Sequence, residues 1–326
     1  MKTDTHQDET SWQNWLKEFE WRSVVVYLAF VAILLFFAVT LREQNFFTSS
    51  NLINIIRQTA PITVMAVGMT FTLSAGEIDL SIGSIVALSA LVTAVILRDF
   101  GFFPGVLAGL SVGIVAGLIN GLLTVKIRIP SFLVTLGTLG IISGMARALT
   151  NLQSVPVRND AFVAIFGGGA VGPVPSLVIW TVVALLVGHL ILQNLRYGRH
   201  VLATGGLRQA AKYVGINTDN IRISVLIASA VSASLAGMLY AGRLAGARYT
   251  LGEADLLTVI AAVIIGGTSL FGGRGSVVGS VVGSIIMGML NNGLILMGLD
   301  VAQQMMARGL IIILAVALSL REPQTS

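Results

Sequence analysis

Charged and amide side chains set within apolar sequence are the places where this chain can do chemistry. Glu77 and Asp79 break a hydrophobic run at Ser74-Ala-Gly-Glu-Ile-Asp-Leu-Ser81, Asp255 opens another run, and Arg57 and Arg308 lie inside two more. An arginine at mid-membrane costs about 3 kcal/mol on insertion scales, so both arginines are expected to face a cavity or a partner group. Asn120, Asn291, Asn292, Gln303 and Gln304 add amides that either join helices or bind hydroxyls along a polar path. Asp79 is placed to cap a helix opening near Ser81, with an ion site as the alternative. Transport driven by protons or sodium needs ion-coordinating groups inside the membrane, and here such groups are few.

Other chemistries lack their residues. The glycine-rich stretch Gly266-Gly-Thr-Ser-Leu-Phe-Gly-Gly-Arg-Gly-Ser276 has no lysine followed by Ser or Thr, so it does not make a nucleotide-binding P-loop. His6, His189 and His200 show no metalloprotease spacing, and no paired acidic motif points to a metal-dependent transferase. The chain has no cysteine, which excludes disulfides, thiolate metal sites and cysteine nucleophiles. No metal, no cofactor and no nucleic-acid partner is expected, and an enzyme is disfavoured.

The elements that must position these groups follow from composition. Of 326 residues 55% are hydrophobic and 11% charged, against roughly 25% charged in a soluble domain. A helix needs about 20 apolar residues to cross a bilayer. The predicted fold is therefore an all-α polytopic bundle of about ten spans. They lie at 24–41, 52–74, 82–97, 105–125, 132–150, 176–195, 223–240, 256–267, 277–297 and 301–320. The division is a segment 1–23, where Trp12, Trp15, Leu16 and Phe19 form the stripe of an interfacial helix, a transmembrane domain 24–321, and a tail 322–326. With the N-terminus inside, twelve Lys and Arg residues fall on the cytoplasmic side and six outside. That excess places both termini and the loop 196–222 in the cytoplasm and the loop 151–175 outside.

Glycine is ordered within the spans. Gly109, Gly113, Gly117 and Gly121 recur every fourth residue, as do Gly275, Gly279 and Gly283. Such faces let helices approach closely in lipid, by packing within the chain or at a homodimer seam.

The polar island Arg196 to Arg222 is the expected working surface. Leu207, Ala210, Ala211 and Val214 fall at i, i+3, i+4 and i+7 between Gly206 and Gly215, one face of a short helix. Gly205 and Gly206 precede it, and Arg208, Gln209 and Lys212 lie elsewhere on its surface. Small alanines suit a helix seated in a partner's groove. A helix lying on the lipid headgroups is the alternative.

Several separated motifs resemble the membrane permeases of bacterial ATP-binding-cassette importers for ribose, xylose and related monosaccharides. They are Asn45-Phe-Phe-Thr48 through Asn51-Leu-Ile-Asn54, Ala66-Val-Gly-Met-Thr70, Ile78-Asp-Leu-Ser-Ile-Gly-Ser84, Gly205-Gly206 through Ala210-Ala211 to Gly215-Ile-Asn217, Ala262-Val-Ile-Ile-Gly-Gly-Thr-Ser-Leu270 with Gly272-Gly273, and Asn291-Asn-Gly-Leu294. The resemblance implies an inner-membrane homodimer, cytoplasmic ATPase subunits, and a periplasmic sugar-binding protein that delivers a monosaccharide. It implies that Gly205 to Ile216 contacts the ATPase. Two departures stand out: Arg208 and Gln209 occupy the place where a glutamate often precedes the paired alanines, and Glu77 stands where many relatives have a small residue. A nucleoside, a furanose signal or a branched amino acid is the alternative cargo, and an ion-coupled sugar carrier the alternative mechanism.

Overall fold

A computed structural model describes residues 21–320, so the expected interfacial helix around Trp12 to Phe19 and the tail 322–326 lie outside the described residues. Long helices account for most of the chain. In order they are α1 (Trp21–Thr40), α2 (Ser49–Ser74), α3 (Ile82–Phe100), α4 (Phe102–Lys126) and α5 (Ser131–Thr150). A short α6 (Asp160–Val163) precedes α7 (Ser176–His189), which runs on through a π-helical turn, Leu190–Asn194. Then come α8 (Arg196–Gly206), α9 (Arg208–Tyr213), α10 (Thr218–Arg243), α11 (Asp255–Ile265), α12 (Val277–Leu296) and α13 (Val301–Leu320). Among the described residues seven helices are long and apolar enough to cross a membrane: α2, α3, α4, α5, α7 with its π turn, α10 and α12. The architecture is a polytopic helical bundle. The segment expected at 256–267 is an 11-residue helix, too short alone to cross about 30 Å of hydrocarbon.

The centre of the bundle is α10, packed against α2, α3 and α4. Helices associate in lipid through close packing and hydrogen bonds rather than hydrophobic drive, and both devices appear here. A Cβ added at Gly113 would run into Ala230 and Ser234, and one at Gly117 into Ile227, so the first glycine ladder seats α4 directly on α10. In the second ladder Gly279 and Gly283 lie against the backbone at Gly266 and Ala262, seating α12 on α11 and the turn that ends it. Both ladders pack within the chain. Hydroxyls add the second device: Thr63 pairs with Ser284 and Thr70 with Ser280, each at 2.7 Å, joining α2 to α12. Ser89 donates to the carbonyls of Gly109 and Ser234, tying α3 to α4 and α10 together.

The two ends of α10 carry different structures. At its C-terminal end the segment 151–175 is folded: Val155 pairs with Ala247 across two short antiparallel strands, β1 (Val155–Pro156) and β4 (Gly246–Ala247). Strands β2 (Ala170–Val171) and β3 (Val174–Pro175) form a small hairpin there. Phe166 stacks on Phe162 and on Trp180, with ring centroids 4.8 and 5.4 Å apart, and the Trp180 indole donates to the Ile165 carbonyl at 2.9 Å. An indole with an apolar body and a bonded N–H is at home where a bundle meets the membrane boundary. At the N-terminal end of α10 lie α8 and α9.

Candidate functional site

The island 196–222 folds as two helices rather than one. Leu207 leaves helical geometry between them, so the helix expected from Gly206 to Gly215 is only the six residues of α9, and Gly205 and Gly206 close α8. Packing explains this. A Cβ at Gly205 would run into the Ser74 carbonyl at the end of α2, and the loop before α12 presses on the same spot through Gly272 and Gly273. Both of those residues have left-handed backbone, φ +87° and +78°, which glycine adopts without steric cost. The amide of Gly273 donates to the Ser74 carbonyl at 3.0 Å. Three backbones therefore meet at one glycine knot, and the helix stops there.

On α9 the expected apolar face divides. Leu207, Ala210 and Val214 are exposed, whereas Ala211 is turned into the protein at 4% exposure. Ala211 thus anchors the helix from behind. Periodicity alone missed two other exposed apolar groups at this end, Tyr213 (86% exposed) and Phe271. Tyr213 stands between charged and apolar neighbours, off the i, i+3, i+4 stripe, and Phe271 belongs to a distant loop. Gln209 is exposed, and Gly215, with φ +86°, ends the segment.

Behind α9, Glu77 is almost fully buried in the link that follows α2. Its Oε1 accepts from Arg208 Nη2 at 2.8 Å and from Arg222 Nε at the start of α10. Asp79, two residues on, is completely buried and separate from this pair. It accepts from the amide and hydroxyl of Ser81 at 3.0 and 2.6 Å, and Asn120 donates to that hydroxyl at 3.0 Å. Asp79 thus makes an Asx turn onto Ser81, the residue before α3, and caps none of the first amides of that helix. Burial pushes its carboxyl above the ordinary carboxylate range, against the bonds from Ser81.

The remaining polar membrane residues fall elsewhere. A chamber of about 150 Å3 lies near the C-terminal end of α10, lined by groups from α2, α10, α11, α12 and α13. Within it Arg308 donates to Asn291 at 2.7 Å, Tyr240 donates to Asp255 at 2.6 Å, and Thr59 and Gln58 lie alongside. Gln304 accepts a longer bond from Arg308 at 3.4 Å. Asn292 instead forms a reciprocal amide pair with Asn51, at 3.0 and 3.1 Å, that ties α12 to α2. Gln303 and Asp300 bond each other's backbone amides at 2.8 and 3.0 Å, a capping box that opens α13. Arg57 is half-buried on α2 beside Gln58, and Asp79 and Asn120 are at the other end of the bundle. Among the described residues no group of three His, Cys, Asp or Glu side chains could hold a metal ion.

Comparison with known proteins adds the rest. The family model described as branched-chain amino acid transport system / permease component matches residues 51–316. The chain belongs to this permease family. It is 37% identical over 306 residues to the ribose import permease protein RbsC of Escherichia coli strain K12, covering 93% of each chain. It is 36% identical over 282 residues to the RbsC protein of Bacillus subtilis, covering 86% of this chain and 88% of the relative. The D-allose transport system permease protein AlsC of Escherichia coli is 34% identical over 281 residues, 86% of each chain. No solved structure gives a significant match. The protein is thus a permease subunit of an ATP-binding-cassette importer, a multi-pass protein of the inner membrane. It is not itself catalytic, and ATP is hydrolysed by a separate subunit.

Proposed function

We propose that this permease conducts a monosaccharide of the ribose class into the cytoplasm, received from a periplasmic binding protein and driven by a cytoplasmic ATPase. The observation that carries the reading is the near end-to-end likeness to ribose import permeases of two distant bacteria. The chamber beside Asn291 and Arg308 supports it chemically, since amide, hydroxyl, guanidinium and carboxylate groups face one small volume and match a polyol's alternating donors and acceptors.

The chain crosses the membrane ten times with both termini in the cytoplasm, as the Lys and Arg distribution favours. In that orientation α8 and α9 face the cytoplasm and the polar chamber faces the periplasmic half. The ATPase seats on Leu207, Ala210, Tyr213 and Val214, whose exposed apolar surface calls for a cover. The working unit is a homodimer. Along α5, Gly137, Gly140 and Gly144 have no heavy atom within 4 Å of an added Cβ, and Leu136, Ile141 and Met145 are exposed, so this face is open to a second copy.

Uptake of labelled ribose into proteoliposomes containing permease, ATPase and binding protein tests the reading. Flux should require ATP and resist an uncoupler, and D-allose should compete more effectively than leucine or a nucleoside. The family description favours branched-chain amino acids as the second reading. Competition by leucine alone would select it.

A further inference from the structure

A cavity of about 570 Å3 opens beside α9, bounded by the end of α4, the link after α2 and the first turn of α5. Four cationic groups line it, Arg128, Arg208, Lys212 and Arg222, against two carboxylates, Glu77 and Asp219. We propose that this cavity binds a phosphate group, presented by an anionic lipid headgroup or by a soluble phosphate. The proposal does not depend on which solute the permease carries.

The charges are only partly spent. Glu77 is shared by Arg208 and Arg222, yet Arg208 Nε has no partner. Lys212 stands 3.7 Å from Asp219, beyond hydrogen-bond length. Arg128 forms no ion pair among the described residues, and its backbone is left-handed at φ +66°. For a residue other than glycine that conformation costs on the order of 1–3 kcal/mol, and such strain gathers at ligand clamps.

A second observation is independent of charge. Thr124 lines the cavity, is wholly buried, and its hydroxyl has no hydrogen-bond partner. An unmet buried hydroxyl costs about 1–3 kcal/mol, which an incoming acceptor oxygen would recover. The cavity also meets the N-terminus of α5, where no side chain caps the first amides and Ser131 Oγ accepts from Ile78 instead. That helix end carries about half a positive charge and favours an anion.

Phosphate fits these groups better than a single carboxylate. Its oxygens point in several directions, so groups at the end of α4 (Thr124, Arg128) and on α9 (Lys212) can meet different ones. Its negative charge, one for a lipid phosphodiester and about −1.5 to −2 for a phosphomonoester, suits the excess of cations. Exposed Phe132 lines the cavity, and exposed Ile127 and Leu133 flank the lining segment 128–132 in the chain; together they offer apolar surface to acyl chains, as in basic headgroup pockets between membrane helices.

The test uses the full-length permease. One arm follows thermal unfolding in detergent as inorganic pyrophosphate is added. The other places the protein in nanodiscs of phosphatidylcholine with or without phosphatidylglycerol and counts retained lipid by native mass spectrometry. Selective retention of phosphatidylglycerol without a pyrophosphate response supports the site with lipid as its source, and a raised melting temperature with pyrophosphate supports it with the bare phosphate group as ligand. Thr124→Val and Arg128→Gln should each weaken the response by about tenfold, the loss of one charge-assisted or buried hydrogen bond. Equal binding by wild type and both variants overturns the proposal, as does a wild type that answers neither probe. Loss of ATPase association in Arg128→Gln, with no phosphate response in wild type, also overturns it and makes the cavity a protein-docking surface.

Discussion

Glu77 and Arg222 are 145 positions apart in the chain, and they meet as an ion pair at the root of α9, with Arg208 on the same carboxylate oxygen. Removing the charge leaves two guanidiniums facing one another in a partly dry setting. Glu77→Gln should lower stability by about 1.5–3 kcal/mol, read from denaturant or thermal unfolding in detergent. Arg222 is 13% exposed and Arg208 39% exposed, so Arg222→Gln should cost more than Arg208→Gln. Equal costs would show that solvent reaches both partners alike.

Docking of the ATPase can be separated from folding because α9 has a free side and an anchored side. Tyr213→Ala with Leu207→Ala should weaken ATPase association by about 1 kcal/mol or more per side chain and leave the melting temperature near wild type. Ala211→Glu should lower stability as well, since a charge would enter a packed contact. Full sugar-stimulated ATP hydrolysis in the Tyr213/Leu207 variant would remove α9 from the interface.

Glycine replacements should sort by what they face. Gly113→Leu and Gly279→Leu drive side chains into backbone and should each cost at least about 1–3 kcal/mol, seen as loss of folded yield. Gly140→Leu faces open space within the chain, so its monomer should fold normally and fail to pair. Normal cross-linking of that variant would place the homodimer seam elsewhere.

The orientation is testable in a chain that lacks cysteine. Single cysteines at His200 and Gln209 should react only from the cytoplasm, and one at Asp160 only from outside. Asp160 serves better than Asn159, whose side chain caps α6. The reverse labelling pattern would invert the topology.

Asp79 predicts a pH dependence. Its folded pKa lies above the unfolded value, so its protonated form favours folding, and that stability is complete below the unfolded pKa and fades as pH rises through the folded one. Asp79→Asn keeps an acceptor for Ser81 and should flatten the stability profile across mildly acidic pH. An unchanged slope would assign the dependence to another group.

Much of the fold was legible because membrane packing writes itself in local spacing. Four-residue glycine ladders name both a helix and its contact face, and seven long helices follow from apolar length, whereas the 11-residue α11 falls short of the span expected there. The site was legible only in part. Position 205 takes glycine because a distant carbonyl leaves no room for a side chain, a tertiary cause that local turn rules miss. Nothing near Glu77 announces Arg208 or Arg222, although both departures from the family pattern, Glu77 and Arg208, are members of one ion pair. Gln303 and Asn292 carry the same residue types as a polar path and serve as a cap and a helix tie. Composition cannot distinguish these roles; only partners can.

Helices α2 and α10 each touch both working ends of the protein. Gln58 and Thr59 of α2 border the polar chamber while the link after Ser74 presents Glu77, and α10 runs from Arg222 to Tyr240. At 1.5 Å per residue Arg222 and Tyr240 stand about 27 Å apart along α10. Both helices link the two ends directly, but Pro61 interrupts the hydrogen-bond ladder of α2 just past Gln58 and Thr59, which leaves α10, free of proline, as the unbroken connection. A kink engineered midway along α10, Ser232→Pro, should leave ATP hydrolysis running while sugar uptake stops, and uptake that persists would show that the two ends communicate through another element.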